Sequence, residues 1–239
     1  MIKNERLMSI WEHLKELRNR LFKAVLALAV GTGVSFMFAD RLIHWLTLPI
    51  GSQYKLQSIE VTENFSVFMQ VSLLSGFIIA IPVILYQLLA FIFPGLTSKE
   101  RRWIKVGIPL ATIFYASGAL FTYYVMMPTA IPFLLGFMDI PTNPRLSNYL
   151  NFVTSLIFWV GLAFESPLVV FLLAKLRLVT AGMLARQWRI AVVVIAVMAA
   201  LITPTGDPVN MGILMAPLIV IYLVSILFAL IARPRKQVL

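Results

Sequence analysis

Three carboxylates stand where such a group is costly or conspicuous. Glu165 lies inside the apolar run W-V-G-L-A-F-E-S-P of residues 159–167, Glu16 lies in H-L-K-E-L-R-N-R of residues 13–20, and Glu100 is the one acid in the basic stretch K-E-R-R of residues 99–102. A carboxylate at membrane depth is unfavourable unless it is paired, protonated or in contact with water, and such residues face a bundle interior or a cavity. Glu165 is therefore expected to be functional and open to water from one side. Pro167 removes the backbone donor that would reach the carbonyl of Ala163, an opening that Glu165 or Ser166 can help to solvate. Glu16 and Arg20 are four apart on one helix and can pair. Glu100 has two readings. It is either an exposed partner for a neighbouring arginine, worth little, or a carboxylate offered to a cationic ligand beside Phe91 and Phe93.

Catalysis finds little support in the same residues. The chain has no cysteine and only two histidines, His13 and His44. That excludes disulfides, thiolate metal sites and thiol nucleophiles. There is no phosphate-binding loop, no G-x-S-x-G and no H-E-x-x-H. No nucleophile–base pair or metal set can be assembled, so no cofactor, metal or enzymatic activity is expected.

The elements that must position these acids are membrane helices. The 239 residues are 60% hydrophobic and 13% charged, with a mean hydropathy of +0.91, whereas soluble domains carry about 25% charged residues. Six spans are predicted, over residues 21–39, 65–93, 104–127, 149–174, 190–202 and 211–231, in a single integral membrane domain covering 1–239. Crossing a bilayer takes about 20 apolar residues as helix, so the fifth span is short, and the fifth and sixth form a short pair joined by T-P-T-G-D-P-V-N. Basic residues before the first span resemble a secretory signal, but no small-x-small cleavage site follows, and an uncleaved first span is expected. Residues 40–64 hold Leu42, Ile43, Trp45, Leu46 and Leu48 at helical spacing, as in an interfacial helix. Residues 127–148 carry Pro128, Pro132, Pro141 and Pro144, which predict turns and short helices. Gln70 and Gln87 are candidates for interhelical hydrogen bonds, and Asp207 for capping its turn.

Seventeen of the 20 lysines and arginines fall in the N-terminal stretch, the loops after the second and fourth spans, and the tail; only Arg41, Lys55 and Arg145 fall on the other side. The positive-inside rule makes the first side cytoplasmic, with both termini there. The net charge of +10 is thus spread over loops and does not form a nucleic-acid patch. The two histidines fall on opposite sides, which removes a paired histidine metal site.

The ordered set H-L-x-E-L-R-x-R, P-V-I-L-Y-Q-x-x-A-F-I-x-P-x-L-x-x-x-E-R-R, F-E-x-P and L-I-T-P resembles the TatC family, in family order from His13 through the sixth span. The resemblance implies a cup-shaped six-helix bundle without enzymatic activity in the cytoplasmic (inner) membrane. It implies a receptor subunit that binds signal peptides carrying two arginines, self-associates in a complex, and works with the single-span subunits TatA and TatB. Export of folded proteins would be driven by the proton-motive force. Carried onto this sequence, the signal-peptide site involves Glu100 with Glu16, Arg18 and Phe91, and Glu165 is the intramembrane acid. The family often has Pro-Pro-Asp where this chain has Thr203-Pro-Thr-Gly-Asp207, so the resemblance assigns Asp207 no role. The alternative function is a proton-coupled secondary transporter of a small solute that uses Glu165.

Orientation is directly testable in a chain with no native cysteine. Cysteines introduced singly at Glu60 and Lys99 should label only from outside and only from inside, respectively. Labelling of both from one side would overturn the topology.

Overall fold

The computed structural model describes residues 10–51, 54–92, 98–136, 143–203 and 208–232, with backbone alone at residues 10, 92 and 98–106. Among these residues there is no strand. The helices are α1 (Ile10–Phe36), α2 (Ala39–Thr47), α3 (Glu63–Ile92), α4 (Ser98–Phe121), α5 (Met127–Leu135), α6 (Leu146–Phe164), α7 (Ser166–Lys175), α8 (Ala181–Arg186), α9 (Trp188–Ile202) and α10 (Pro208–Ile231). Four helical stretches are long and apolar enough to cross a membrane: Glu63–Phe91, Gly107–Leu135, Leu146–Lys175 and Pro208–Ile231. A fifth candidate is α1 taken together with the segment Ala39–Ile50, and α9 is apolar but only 15 residues long. The protein is an all-α membrane protein with a helix at each of the six expected positions.

Two local expectations are corrected. The third span does not stop at Met127. A π-helical turn over Thr122–Met126 leads straight into α5, because Pro128 falls in the first turn of α5, where a missing N–H costs nothing. The fourth span is found as expected over Leu146–Lys175, with a one-residue interruption at Glu165 between α6 and α7. The sixth helix is not short: it has 24 residues, since Pro208 begins the helix instead of prolonging the preceding turn. The stops expected at Pro94-Gly95 and the Asp207 turn lie outside the described residues.

The chain divides into two compact units, Met1–Ala39 with Ser72–Thr112, and Asp40–Val71 with Ile113–Leu239. In the first unit α1 runs antiparallel to the second half of α3. The His13 ring stacks on Phe91 with centroids 4.5 Å apart, and far along the same seam Gly31 meets Gly76. A Cβ at Gly31 would lie 2.5 Å from the carbonyl oxygen of Gly76, and one at Gly76 would collide with the backbone of Thr32. Glycine is required there by close approach, the mode of contact that membrane helices use in place of a hydrophobic drive.

In the second unit α6, α9 and α10 enclose a core containing Leu156, Val160, Phe164, Ala199, Leu214 and Leu218. The Tyr115 ring fills the space left by Gly161, and Phe164 that left by Gly118. Gln70 on α3 donates to Asn151 (2.9 Å) and Thr154 (2.7 Å) on α6, the interhelical bonding expected of it. Helix α2 is held from beneath: Tyr123 stacks on Trp45 at 3.8 Å and donates to its carbonyl at 2.9 Å, and Tyr149 donates to the carbonyl of Leu46 at 2.8 Å.

The start of α3 is organised by a carboxylate that sequence reasoning passed over. The Glu63 side chain is 0% exposed. It accepts from the backbone N–H of Ile59 (2.8 Å) and Ser147 (2.7 Å) and from Arg145 Nε (3.1 Å). Arg145 also reaches Glu60 at 2.7 Å, and hydrogen bonds to Glu60 and Glu63 hold its pKa above the ordinary arginine value. Beside it Gln57 donates to Pro144 and accepts from Leu146. Removing one partner of a buried ion pair strands the other, whereas an exposed pair contributes little. Arg145→Met should therefore lower the melting temperature of the purified chain clearly more than Glu60→Gln, since Glu60 is 63% exposed. Equal melting of the two variants in one detergent would show that Glu63 does not organise this joint.

Candidate functional site

The first unit carries the end of α1 and α3 on which Glu16, Arg18 and Phe91 lie. His13, Glu16 and Arg20 follow at i, i+3 and i+7, the spacing of one helix face, and all three are half-buried. Arg20 grips a single oxygen of Glu16, through Nε at 2.8 Å and a terminal nitrogen at 2.5 Å. The other oxygen, Oε2, is buried and meets no donor among the described residues. The pair expected from spacing therefore forms and leaves Glu16 with unused acceptor capacity. Phe91 supplies a wall, stacked on His13. Arg18 is exposed and off this face, so it is not brought beside Glu16 as the resemblance implied. The side chain of Glu100, in the first turn of α4, lies outside those described.

Two further residues belong to this surface and were not foreseen there. His13, which opens the H-L-x-E-L-R-x-R motif, serves as an aromatic partner. Gln87, one turn before Phe91 on α3, is buried at 9% exposure, and its Oε1 meets no donor. Its spacing of four from Phe91 was the available signal. The facing helices thus present two unsatisfied acceptors, Glu16 Oε2 and Gln87 Oε1, near a stacked aromatic pair. A buried acceptor without a donor costs about 1–3 kcal/mol. Such an arrangement rewards a ligand that brings N–H donors, most strongly a cationic one.

Glu165 lies in the second unit, at the break between α6 and α7. Its N–H donates to Leu162 (3.1 Å) and its carbonyl accepts from Leu168 and Val169 at 3.0 and 3.2 Å, so the backbone stays bonded around the missing donor of Pro167. The side chain is 7% exposed and neither oxygen meets a donor among the described residues. Where the sequence led to the expectation of a water-accessible carboxylate, the structure buries it.

The family model TatC, described as Sec-independent protein translocase protein, matches residues 12–217. The chain belongs to the TatC family. A TatC of Koribacter versatilis is 33% identical over 238 residues, covering 96% of this chain and 88% of that one. One of Aquifex aeolicus is 38% identical over 241 residues, covering 96% and 98%. Two crystal structures of the twin-arginine translocase receptor TatC, both 35% identical, superpose with TM-scores of 0.78 and 0.81 and cover 92% and 91% of this chain and 99% of theirs. As a TatC protein the chain is a component of a Sec-independent protein translocase and a multi-pass membrane protein.

A buried carboxylate kept without a partner is unfavourable for the fold, and an apolar group of similar size relieves that cost. Glu165→Leu should stabilise the purified chain by about 1–3 kcal/mol, seen as a higher melting temperature, and should impair export at equal expression. A variant that is both more stable and fully active would make Glu165 a tolerated accident of packing.

Proposed function

We propose that this TatC protein is the signal-peptide receptor of a twin-arginine translocase. It sits in the cytoplasmic membrane with both termini inside, and it reads two consecutive arginines with Glu16 and Glu100. The observation that carries this reading is the buried, unused oxygen of Glu16 beside the His13–Phe91 stack. A guanidinium offers a planar fork of N–H donors that a lysine ammonium cannot reproduce. Both acids belong to the side that holds seventeen of the 20 basic residues. Without them that side would repel an Arg-Arg motif, over about 8 Å at physiological salt.

Binding strength must come from more than the arginines. Each charged hydrogen bond contributes about 1.5–3 kcal/mol net, whereas micromolar affinity needs about 8 kcal/mol. The apolar part of the signal supplies the remainder by lying along the bundle or in lipid. Single-span TatA and TatB subunits, self-association and the proton-motive force complete the export cycle in this reading. Crossing of the membrane is then an assembly's work, and this chain contributes selection.

Equilibrium binding of Arg-Arg and Lys-Lys signal peptides at fixed salt tests the assignment. Glu100→Gln should weaken the Arg-Arg peptide severalfold, and Glu100→Arg should weaken it far more. The Lys-Lys peptide, already weak, should change much less. Parental binding of the Arg-Arg peptide by Glu100→Arg would move the recognition site elsewhere.

A further inference from the structure

We propose that the second unit holds a specific anionic glycerophospholipid, with acyl chain in a groove between α6, α7, α9 and α10 and phosphate on Arg186 and Arg189. The groove has a volume of about 770 Å³ and an almost wholly apolar lining that includes Ala163, Val170, Ala191, Val194, Ile195 and Leu218. Small-molecule pockets span roughly 300–1,000 Å³, so its size suits one extended ligand. At one end it meets a second, smaller recess lined by Gly182, Met183, Arg186, Gln187, Arg189 and Ile190. Gln187 and Ile190 line both. An apolar trough therefore ends at two guanidinium groups, the layout that an acyl chain joined to a phosphate requires.

The basic end is fixed by construction. The Thr180 hydroxyl caps α8 by accepting from Met183 at 3.2 Å, and Tyr222 on α10 donates to the carbonyl of Leu184 at 2.6 Å. Both contacts hold the backbone on which Arg186 stands. The Arg189 guanidinium lies 5.7 Å from the centre of the Trp188 ring, and an exposed tryptophan beside arginine is characteristic of the membrane interface. No acid occurs in the sequence between Glu165 and Asp207, and no ion pair engages Arg186 or Arg189 among the described residues. Basic recesses between spans at a membrane surface bind anionic headgroups, and planar guanidinium groups match phosphate oxygens. This charge complementarity selects a lipid over an apolar protein helix, whose backbone and side chains would leave both arginines unanswered. The proposal is independent of the receptor reading.

The test uses the full chain in phosphatidylcholine vesicles containing spin-labelled phosphatidylglycerol or spin-labelled phosphatidylcholine, and reads the motionally restricted fraction of each. The parent should restrict phosphatidylglycerol with a preference on the order of tenfold, as two arginines near an anionic headgroup imply. Arg186→Gln with Arg189→Gln should abolish the preference, while Lys175→Gln with Arg177→Gln, outside both recesses, should leave it. Ala191→Phe or Val194→Phe should remove the restricted lipid by filling the trough. Two variants guard against one perturbing the fold. Persistence of the preference in both filled variants would reduce the effect to surface electrostatics and overturn the proposal. Displacement of the labelled lipid by inorganic phosphate alone would make it an anion site and overturn it too. Absence of preference in the parent, with Val194→Cys crosslinking to another span, would assign the groove to a protein helix.

Discussion

A bilayer interior offers no water to a polar group, so each one inside a span must find its partner within the protein. That constraint accounts for most of the polar architecture. Thr32, Thr112, Thr122, Thr129, Thr154, Thr203 and Ser225 all donate to the carbonyl four residues earlier. Each such bond satisfies a hydroxyl without needing another helix. It also explains why the breaks are tolerated: at Glu165 the N–H and carbonyl find new partners within one turn, and the π-helical turn at Thr122–Met126 inserts irregularity without opening the backbone.

Several buried polar atoms escape this rule among the described residues, Ser35 Oγ and three acceptor-bearing side chains among them. Glu16 and Gln87 keep a buried oxygen without a donor, and Glu165 keeps two. Where seven hydroxyls are satisfied locally, leaving acceptors on Glu16, Gln87 and Glu165 without a donor among the described residues is a cost that stability alone would remove. Glu63 makes the contrast clear. It too is a buried carboxylate, with a side chain 0% exposed, yet backbone donors and Arg145 surround it, and it serves to join segments. Burial therefore does not separate Glu63 from Glu16 and Glu165; the state of their lone pairs does.

What the sequence reveals follows from the range of each interaction. The six apolar stretches are legible because hydropathy is a sum over neighbours, and the Glu16–Arg20 pair is legible because its members are one helical turn apart. The Glu63–Arg145 joint links positions 82 apart. To hydropathy Glu63 reads as the edge of a loop, so nothing local announces its burial. Proline is legible only in part. The prolines after Met127 predict turns and short helices, and α5 is such a helix; Pro128 and Pro208 each occupy a first helical turn, the one place where the lost donor is harmless. The exposure of Arg18 was beyond a motif match, since a motif specifies residue identity and leaves the direction of the side chain open.

The same physics bears on how selection and stability are divided. Arg20 satisfies one oxygen of Glu16 and leaves the other, so the carboxylate is oriented and charge-compensated before any ligand arrives. A fully paired Glu16 would have no capacity left, and an unpaired one, at 17% side-chain exposure, would pay an electrostatic penalty with nothing to orient it. Half-pairing holds the group between those limits. In the receptor reading proposed above, an incoming guanidinium gains a pre-positioned acceptor, although it must approach an arginine that is already present. That repulsion penalises any cation unable to form directed bonds to the free oxygen, and it falls more heavily on a compact ammonium than on a planar fork. Discrimination between arginine and lysine can thus arise from a neighbour that weakens both, because only one of them recovers the loss through geometry.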